Sequence, residues 1–222
     1  DAEAPDICCT EQALRSLYQT AFAWDHRPAF VLITGDLVHE GTSADYARAK
    51  TLLQELDEQY HTKTYPALGN HDNRENFNSA FREQASDQPV DYCVQNEWLR
   101  WIVLDSSCGQ VIGQLSGSQL AWLEQELCDP TDCPTILALH HPVYGTTTAE
   151  TDANNLATPD RLIRLLQDHP VDGILCGHSH EATLVTEQGL PPQFVGAGAA
   201  SAALPLIQGR VQFRKQCWIQ FC

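Results

Sequence analysis

Short apolar runs that end in polar residues recur along the chain and predict its strands. The run Thr135–Leu139 starts with a β-branched residue and stops at His140-His141-Pro142, a pattern typical of a buried strand. Three other runs end in a similar way, at Gly35-Asp36, Gly69-Asn70-His71-Asp72 and Gly177-His178-Ser179-His180. Because ligands bind beyond the carboxyl ends of the strands in open α/β sheets, we expect these four ends to meet in one crevice.

The segments between these runs show helical periodicity or residues that start helices. Ser116 is a suitable N-cap, and Pro159 suits the first turn of a helix. The predicted helices are Thr10–Trp24 with Thr10 as N-cap, Ala44–Leu56, Asn73–Phe81, a helix from Ser116 to Leu127, and a helix that starts at Thr158-Pro159.

Further strand-like runs complete the pattern. Tyr92–Val94 and Trp101–Leu104 resemble strands of a second sheet, and β-like runs dominate after Gly177. These late runs are Thr183–Val185, Gln193–Val195 and Trp218-Ile219. Since strands alternate with helices early in the chain and no internal repeat is present, we expect residues 1–222 to form one layered α/β domain.

Composition limits the classes of partner. With 222 residues, of which 43% are hydrophobic, the chain fits one α/β core. The formal net charge of -16 argues against a nucleic-acid surface, where a basic patch is expected. No apolar run approaches the roughly 18 residues of a membrane span. An anionic substrate would therefore need local positive charge, which bound metal ions can supply.

The nine cysteines show no regular paired spacing. An odd count of this kind argues against a disulfide framework. It favours reduced thiols, which are typical of cytosolic proteins. We therefore expect a cytoplasmic protein.

The polar residues at the four strand ends are of the types that bind divalent metals. Imidazole suits Zn, Fe, Mn or Ni, and carboxylate and amide oxygens extend the choice to Mn and Mg. Asp36, with two carboxylate oxygens, is the natural bridge between two ions. Asn70 offers a neutral oxygen, and nitrogens are offered by His140, His178 and His180. Two ions about 3.5–4 Å apart can hold a phosphate and activate water.

His71 and Asp72 are candidates for proton transfer. His71 could protonate a leaving group, and Asp72 could orient His71 or raise its basicity. Each motif alone also fits an ordinary turn or surface loop, but four motifs that each follow an apolar strand favour a metal site. The histidines outside the motifs are interpreted as ordinary surface or hydrogen-bonding residues: His26, His39, His61 and His169.

The four motifs, in this order, resemble those of the calcineurin-like metallophosphoesterases. Asn73-Arg74 after the second motif and the His140-His141-Pro142 form are most similar to class III cyclic nucleotide phosphodiesterases. The resemblance implies a two-sheet sandwich flanked by helices, which is a four-layer αββα fold. It also implies two divalent metal ions at the rim of this sandwich, for which we expect Mn, Fe or Zn.

The resemblance implies a role for each candidate residue. Asp36 would bridge the ions, His71 would be the general acid, and His140 rather than His141 matches a ligand position. One ion would be bound by Asn70, His140 and His178, and the other by His180. The family's first motif, Asp-x-His, would fall at about residues 1–6 or earlier, where Asp6-Ile7-Cys8 is the nearest form. We therefore expect the first family strand to be missing from residues 1–222.

We expect a metal-dependent phosphodiesterase that acts on a small phosphoester, with cyclic nucleotides as candidate substrates. In this interpretation a metal-bound hydroxide attacks phosphorus in line and His71 protonates the leaving oxygen. Two alternatives stay open: a phosphomonoesterase, and a non-catalytic nucleotide-binding homologue that lacks the first metal motif. We also expect the polar segment Tyr144–Leu156 to contact the non-phosphate part of the substrate through Asn154, Asn155 or Tyr144.

Overall fold

Helices and strands alternate along most of the chain. The computed structural model describes residues 7–25, 27–145, 155–180, 182–196, 198, 209–212 and 218–221. The helices in these ranges are α1 (Ile7–Phe22), α2 (Ser43–Tyr60), α3 (Arg74–Arg82), α4 (Gly117–Cys128) and α5 (Pro159–Asp168). The strands are β1 (Val31–Ile33), β2 (Thr64–Pro66), β3 (Tyr92–Gln95), β4 (Arg100–Leu104), β5 (Thr135–Leu139), β6 (Gly173–Cys176), β7 (Thr183–Val185), β8 (Gln193–Val195), β9 (Gly209–Gln212) and β10 (Trp218–Phe221).

The motif strands are divided between two sheets. β1 and β2 pair in parallel and form a two-stranded sheet, while a six-stranded sheet has the order β3-β4-β5-β6-β8-β7. Its inner strands β4, β5, β6 and β8 run parallel, and β3 and β7 pair antiparallel at the two edges. β9 and β10 form a further antiparallel pair.

The sheet membership of β3 and β4 differs from the sequence-based expectation. β4 pairs with β5 from Arg100–Thr135 to Leu104–Leu139, so β3 and β4 belong to the same sheet as β5 and β6. The separate sheet is formed by β1 and β2 instead. An apolar run predicts that a strand forms, but its neighbours depend on pairing between segments that are distant in sequence.

The inner strands of the six-stranded sheet are buried on both faces, because successive side chains point to opposite sides of a strand. On β5, Ile136 belongs to one hydrophobic cluster and Leu137 to another. In the cluster with Ile136, Phe30 next to β1 stacks on Trp101 of β4 with ring centroids 4.2 Å apart. This cluster therefore fills the space between the two sheets.

Helices cover the outer faces of both sheets. α4 and α5 supply Leu123 and Leu166 to the cluster on the far face of the six-stranded sheet. α1 and α2 pack on each other through Tyr18 and Leu56, with Val31 of β1 against them. The layers are therefore helix, sheet, sheet and helix, which confirms the predicted αββα sandwich. Within the described ranges, no helix has both the length and the apolar character needed to cross a membrane.

Capping residues set the starts of several helices. Ser116 forms a capping box at the start of α4, and Asn73 caps α3 through its side chain, so the predicted starts of these helices are confirmed within a residue. Pro159 is the first residue of α5, as expected. Thr10 is not an N-cap, because α1 begins at Ile7. No proline or glycine interrupts residues 7–9, so the helix continues for most of another turn.

We predict that Leu166→Ala lowers the free energy of unfolding by about 2–5 kcal/mol, because it leaves a cavity in the core. Leu166 is 0% exposed on α5. Leu184→Ala is the control: Leu184 is 56% exposed on β7, and its replacement should change the free energy by less than about 0.5 kcal/mol. Chemical denaturation of both variants measures the difference, and equal losses would contradict the core assignment.

Candidate metal centre

Four strand ends meet at one rim of the sandwich. β1 and β2 end side by side in the small sheet, and β5 and β6 end side by side in the large one. Thr34 follows β1 and His140 follows β5, and a hydrogen bond of 2.8 Å joins them. Residues 106 positions apart are thereby in direct contact. The ends of the two sheets therefore form one site.

His140 is buried, and both of its ring nitrogens face defined partners. Nδ1 donates to the carbonyl oxygen of Thr34, and because a carbonyl oxygen only accepts, the hydrogen lies on Nδ1. Nε2 of the neutral ring therefore carries a lone pair. It lies 3.1 Å from Asn70 Oδ1 and 3.4 Å from Asp36 Oδ2. Burial lowers the pKa of His140 and so favours the neutral ring, which is the form that binds metals.

His178 completes this group of polar atoms. Its Nδ1 lies 3.0 Å from Asn70 Oδ1 and 3.1 Å from His140 Nε2. Among these atoms, His140 Nε2, Asn70 Oδ1 and Asp36 Oδ2 all carry lone pairs that face one region. Imidazole, amide and carboxylate together suit a divalent ion. The residues present therefore fit a metal site.

Glycines allow these side chains to approach closely. A Cβ atom on Gly35 would collide with the ring of His140, and one on Gly69 would collide with the carboxylate of Asp36. Gly35 also has a φ of +105°, a conformation that glycine adopts readily. Gly35 and Gly69, which precede Asp36 and Asn70, are therefore steric requirements of the site.

His71 lies at the surface beside this group. Its backbone N–H donates to Asp36 Oδ1 at 3.1 Å. Its ring Nδ1 donates to the carbonyl oxygen of His39 at 3.2 Å, and the two rings stack with centroids 4.7 Å apart. With a hydrogen held on Nδ1, the nitrogen left for proton transfer is Nε2.

Asp72 binds backbone groups and a tyrosine rather than the ring of His71. Its carboxylate accepts hydrogen bonds from the N–H of Gly69 at 2.9 Å and from the Tyr46 hydroxyl at 2.9 Å. Desolvation raises the pKa of Asp72 to about 6, although these hydrogen bonds oppose the shift. The expected orienting contact to His71 is therefore made by His39, because the oxygens of Asp72 are already used to hold the motif loops together.

His141 is 0% exposed and belongs to a different network. Its Nδ1 accepts from the Ser106 hydroxyl at 2.8 Å, and its Nε2 donates to the carbonyl oxygen of Val111 at 3.0 Å. Burial lowers the pKa of His141 to about 3. The ligand atoms of His140, His141 and His178 lie within 4.8 Å of one another. Both ring nitrogens of His141 thus have partners within the protein core.

His180 and the first-motif candidate are placed differently. His180 is exposed and has a φ of 55°, and it takes no part in the contacts described above between His140, Asn70 and His178. Asp6 of the triplet Asp6-Ile7-Cys8 lies outside the described residues, and Ile7 and Cys8 belong to helix α1. The triplet therefore runs into a helix, whereas the family motif follows a strand.

The segment Tyr144–Leu156 is described only at its two ends. Residues 146–154, with Asn154, lie outside the described ranges. Tyr144 is 3% exposed and packs in the hydrophobic core, and Asn155 is 6% exposed. The side-chain oxygen of Gln193 accepts from the N–H of Tyr144 at 3.1 Å. This contact holds the chain against β8 and keeps Tyr144 in the core, which argues against the expected contact between Tyr144 and a substrate.

Asp105 and Arg74 form a buried ion pair that sequence reasoning missed. Asp105 follows β4 directly and is 0% exposed, and its carboxylate accepts from Arg74 Nε at 2.7 Å. Arg74 is the first residue of α3. The pair therefore ties the segment after His71 to the end of β4. The signal resembled that at Asp36, an apolar run that is followed by a carboxylate.

Comparison with known proteins identifies relatives. Residues 6–182 match the family described as calcineurin-like phosphoesterase. A probable cyclic nucleotide phosphodiesterase from Rhodococcus erythropolis is 37% identical over 191 residues, which cover 85% of this chain and 64% of that protein. A glycerophosphodiester phosphodiesterase from Enterobacter lignolyticus is 33% identical over 168 residues, which cover 71% of this chain and 58% of that protein. The chain thus spans less than two thirds of the length of these curated relatives.

A similar fold occurs among solved structures. A dimetal phosphatase from Danio rerio has a TM-score of 0.65 and 17% sequence identity. The match covers 87% of this chain and 78% of that one. At this level of identity the likeness concerns the fold alone, and it agrees with the αββα layers described above.

We predict that Gly35→Ala weakens both folding and Mn²⁺ binding, because the added methyl group must displace the ring of His140. Gly109→Ala is a matched control, since Gly109 also has a positive φ of +72° but nothing lies within 4 Å of its Cβ position. It should show only the cost of backbone strain, about 1–3 kcal/mol. Titration calorimetry with Mn²⁺ and chemical denaturation compare the two. Equal losses of Mn²⁺ affinity would disprove the steric explanation.

Proposed function

Because this chain belongs to the calcineurin-like phosphoesterase family, we propose that it hydrolyses phosphodiesters with two divalent metal ions bound at the rim of the sandwich. The observation that carries the proposal is the close group of polar atoms on Asn70, His140 and His178, which lie 3.0–3.1 Å from one another. Imidazole nitrogens and an amide oxygen are ligand atoms that divalent ions of intermediate hardness bind. A metal cation is the partner that this donor set suits.

Each ion has a proposed set of ligands. Asp36 would bridge the two ions, since its Oδ2 lies 3.4 Å from His140 Nε2 while the side chain remains 21% exposed. One ion would be held by the three side chains that contact one another, Asn70, His140 and His178. His180, two residues after His178, would hold the other ion together with Asp36. Mn, Fe and Zn suit these mixed nitrogen and oxygen ligands.

When bound, the ions would neutralise charge on the phosphate and activate the attacking water. The protein needs this contribution because its formal net charge is -16. Arg74, which follows the second motif directly, is paired with Asp105. The positive charge of Arg74 is therefore largely neutralised by Asp105. The bound ions would then be the main source of positive charge for an anionic substrate.

His71 is the proposed general acid. The carbonyl oxygen of His39 holds a hydrogen on Nδ1, so the second hydrogen of the cationic ring lies on Nε2, from which it can pass to the leaving oxygen. The backbone N–H of His71 binds Asp36, which keeps the ring beside the metal ligands. Asp72 supports the arrangement through its bond to the N–H of Gly69.

The substrate class is supported by the names of the relatives. Both the Rhodococcus and the Enterobacter protein are named as phosphodiesterases, and the Rhodococcus protein is more similar to this chain. We therefore place a cyclic nucleotide first and a glycerophosphodiester second. Comparing kcat/KM for 3′,5′-cyclic AMP, a glycerophosphodiester and p-nitrophenyl phosphate tests this order. A preference for the monoester would favour the phosphomonoesterase alternative instead.

We predict that Asp36→Ala lowers both metal content and hydrolysis, because a bridging carboxylate contacts both ions. Asp36→Asn is a second variant that suits the positive φ of 52°, a region in which Asn and Asp are tolerated. Asp160→Asn on the exposed side of α5 is the control. Elemental analysis of protein loaded with Mn²⁺ measures the effect. Unchanged metal content in both Asp36 variants would disprove bridging, and a wild-type chain without bound metal would favour the non-catalytic alternative.

We predict that His71→Ala slows the hydrolysis of diesters with alkyl leaving groups by about 10²-fold or more. The hydrolysis of p-nitrophenol esters by this variant should slow only slightly, because a good leaving group needs little protonation. His169→Ala, at the end of α5, is the control and should retain both activities. Steady-state measurements of kcat on both substrates test this prediction. An equal loss of kcat on the two substrates in His71→Ala would argue against a general acid.

A further inference from the structure

His39 contacts His71 with both its backbone and its ring. Its carbonyl oxygen accepts from Nδ1 of His71 at 3.2 Å. The two imidazole rings stack with centroids 4.7 Å apart and planes 25° from parallel. The His39 side chain is 60% exposed, and its Nε2 lies 3.7 Å from Glu40 Oε1. The stacked pair therefore lies at the edge of the site that faces solvent.

The backbone around His39 is held on both sides. The two residues before it donate their N–H groups to the carboxylate of Asp72 at 3.1 and 3.4 Å. The carbonyl oxygen of Gly41, two residues after it, accepts from Asn76 Nδ2 at 2.8 Å. Residues 37–41 are thus bound to the loop and helix that follow His71. The carbonyl of His39 is therefore a fixed acceptor for the His71 ring.

These contacts decide which nitrogen of His71 transfers a proton. A carbonyl oxygen can only accept, so Nδ1 of His71 keeps its hydrogen whether the ring is neutral or cationic. The proton that is gained and lost is then the one on Nε2. The stacked ring of His39 opposes rotation of the His71 ring, because a rotated ring would lose the contact between the two faces.

We propose that His39 is a positioning residue, whose ring and carbonyl hold His71 so that Nε2 donates the proton to the leaving group. The inference rests on the proposed phosphodiesterase function and deepens it. In this proposal His39 acts through His71. The carbonyl selects the nitrogen, and the ring holds the plane of the imidazole.

Three variants of the intact chain separate these contributions. His39→Ala removes the ring but keeps the carbonyl, and His39→Phe keeps a stacking ring without a titrating nitrogen. Glu40→Gln removes the neighbouring charge and leaves both rings. On a diester with an alkyl leaving group, His39→Ala should lower kcat about two- to tenfold, the loss expected for one aromatic pair. KM, and turnover of a p-nitrophenyl diester, should stay unchanged, and the other two variants should retain the wild-type kcat.

A double-mutant cycle tests whether His39 acts through His71. In the His71→Ala background, His39→Ala should cause no further loss, because the interaction it removes is already absent. A further loss in that background would overturn the proposal. So would equal losses on both diesters, a failure of His39→Phe to retain kcat, or a loss in Glu40→Gln that matches His39→Ala.

The ring nitrogens of His71 give a readout that needs no turnover. Their NMR shifts, assigned by comparison with His71→Ala, show which nitrogen carries the hydrogen. We expect the Nδ1–H form in wild type and in both His39 variants, because all three proteins keep the backbone carbonyl at position 39. The Nε2–H form in wild type, or in either His39 variant, would overturn the role of the His39 carbonyl. The expected forms in a protein that hydrolyses neither diester would contradict the proposed function alone.

Discussion

The hydrogen bond from His140 Nδ1 to the carbonyl oxygen of Thr34 is the contact on which the rest of the site depends. It joins the end of β5 in the large sheet to the end of β1 in the small sheet, across the core that the two sheets enclose. It also directs Nε2 of His140 toward Asn70 and Asp36. The close approach requires glycine at position 35, where a Cβ would collide with the ring. Packing between the sheets therefore determines the orientation of one imidazole, and that imidazole determines where the ligand atoms meet.

The carboxylates at the strand ends serve different purposes although they occur in similar sequence settings. Asp105 is fully buried and pairs with Arg74, so it stabilises the fold. Asp72 accepts from Tyr46 and from backbone N–H groups and holds the motif loops together. Asp36 accepts from one backbone N–H and keeps Oδ2 near His140. Hydrogen-bond partners, rather than residue type, thus decide which carboxylate is free to bind an ion.

Hydrogen-bond partners also distinguish the histidines, because the partner of one ring nitrogen determines whether the other nitrogen carries a hydrogen or a lone pair. Both nitrogens of His141 have protein partners, which makes it part of the core. His140 has one nitrogen on a carbonyl oxygen and one toward the ligand group. In His71 the carbonyl oxygen of His39 occupies Nδ1, which leaves Nε2 for the proton. The carboxylate of Asp72, by contrast, accepts from Tyr46 and the N–H of Gly69.

The sequence by itself determined the elements of this protein and the positions of its candidate ligands. The apolar run Thr135–Leu139 predicts β5, Ser116 predicts the start of α4, and the polar ends of the strands predict the site, because periodicity and capping are local effects. The tertiary structure alone decided that β4 lies beside β5, that Tyr144 is buried and that the ring of His39 stacks on that of His71. These outcomes depend on contacts between distant segments, such as Thr34 and His140, which are 106 positions apart. Local sequence patterns do not show which distant groups become neighbours, because tertiary packing determines these contacts.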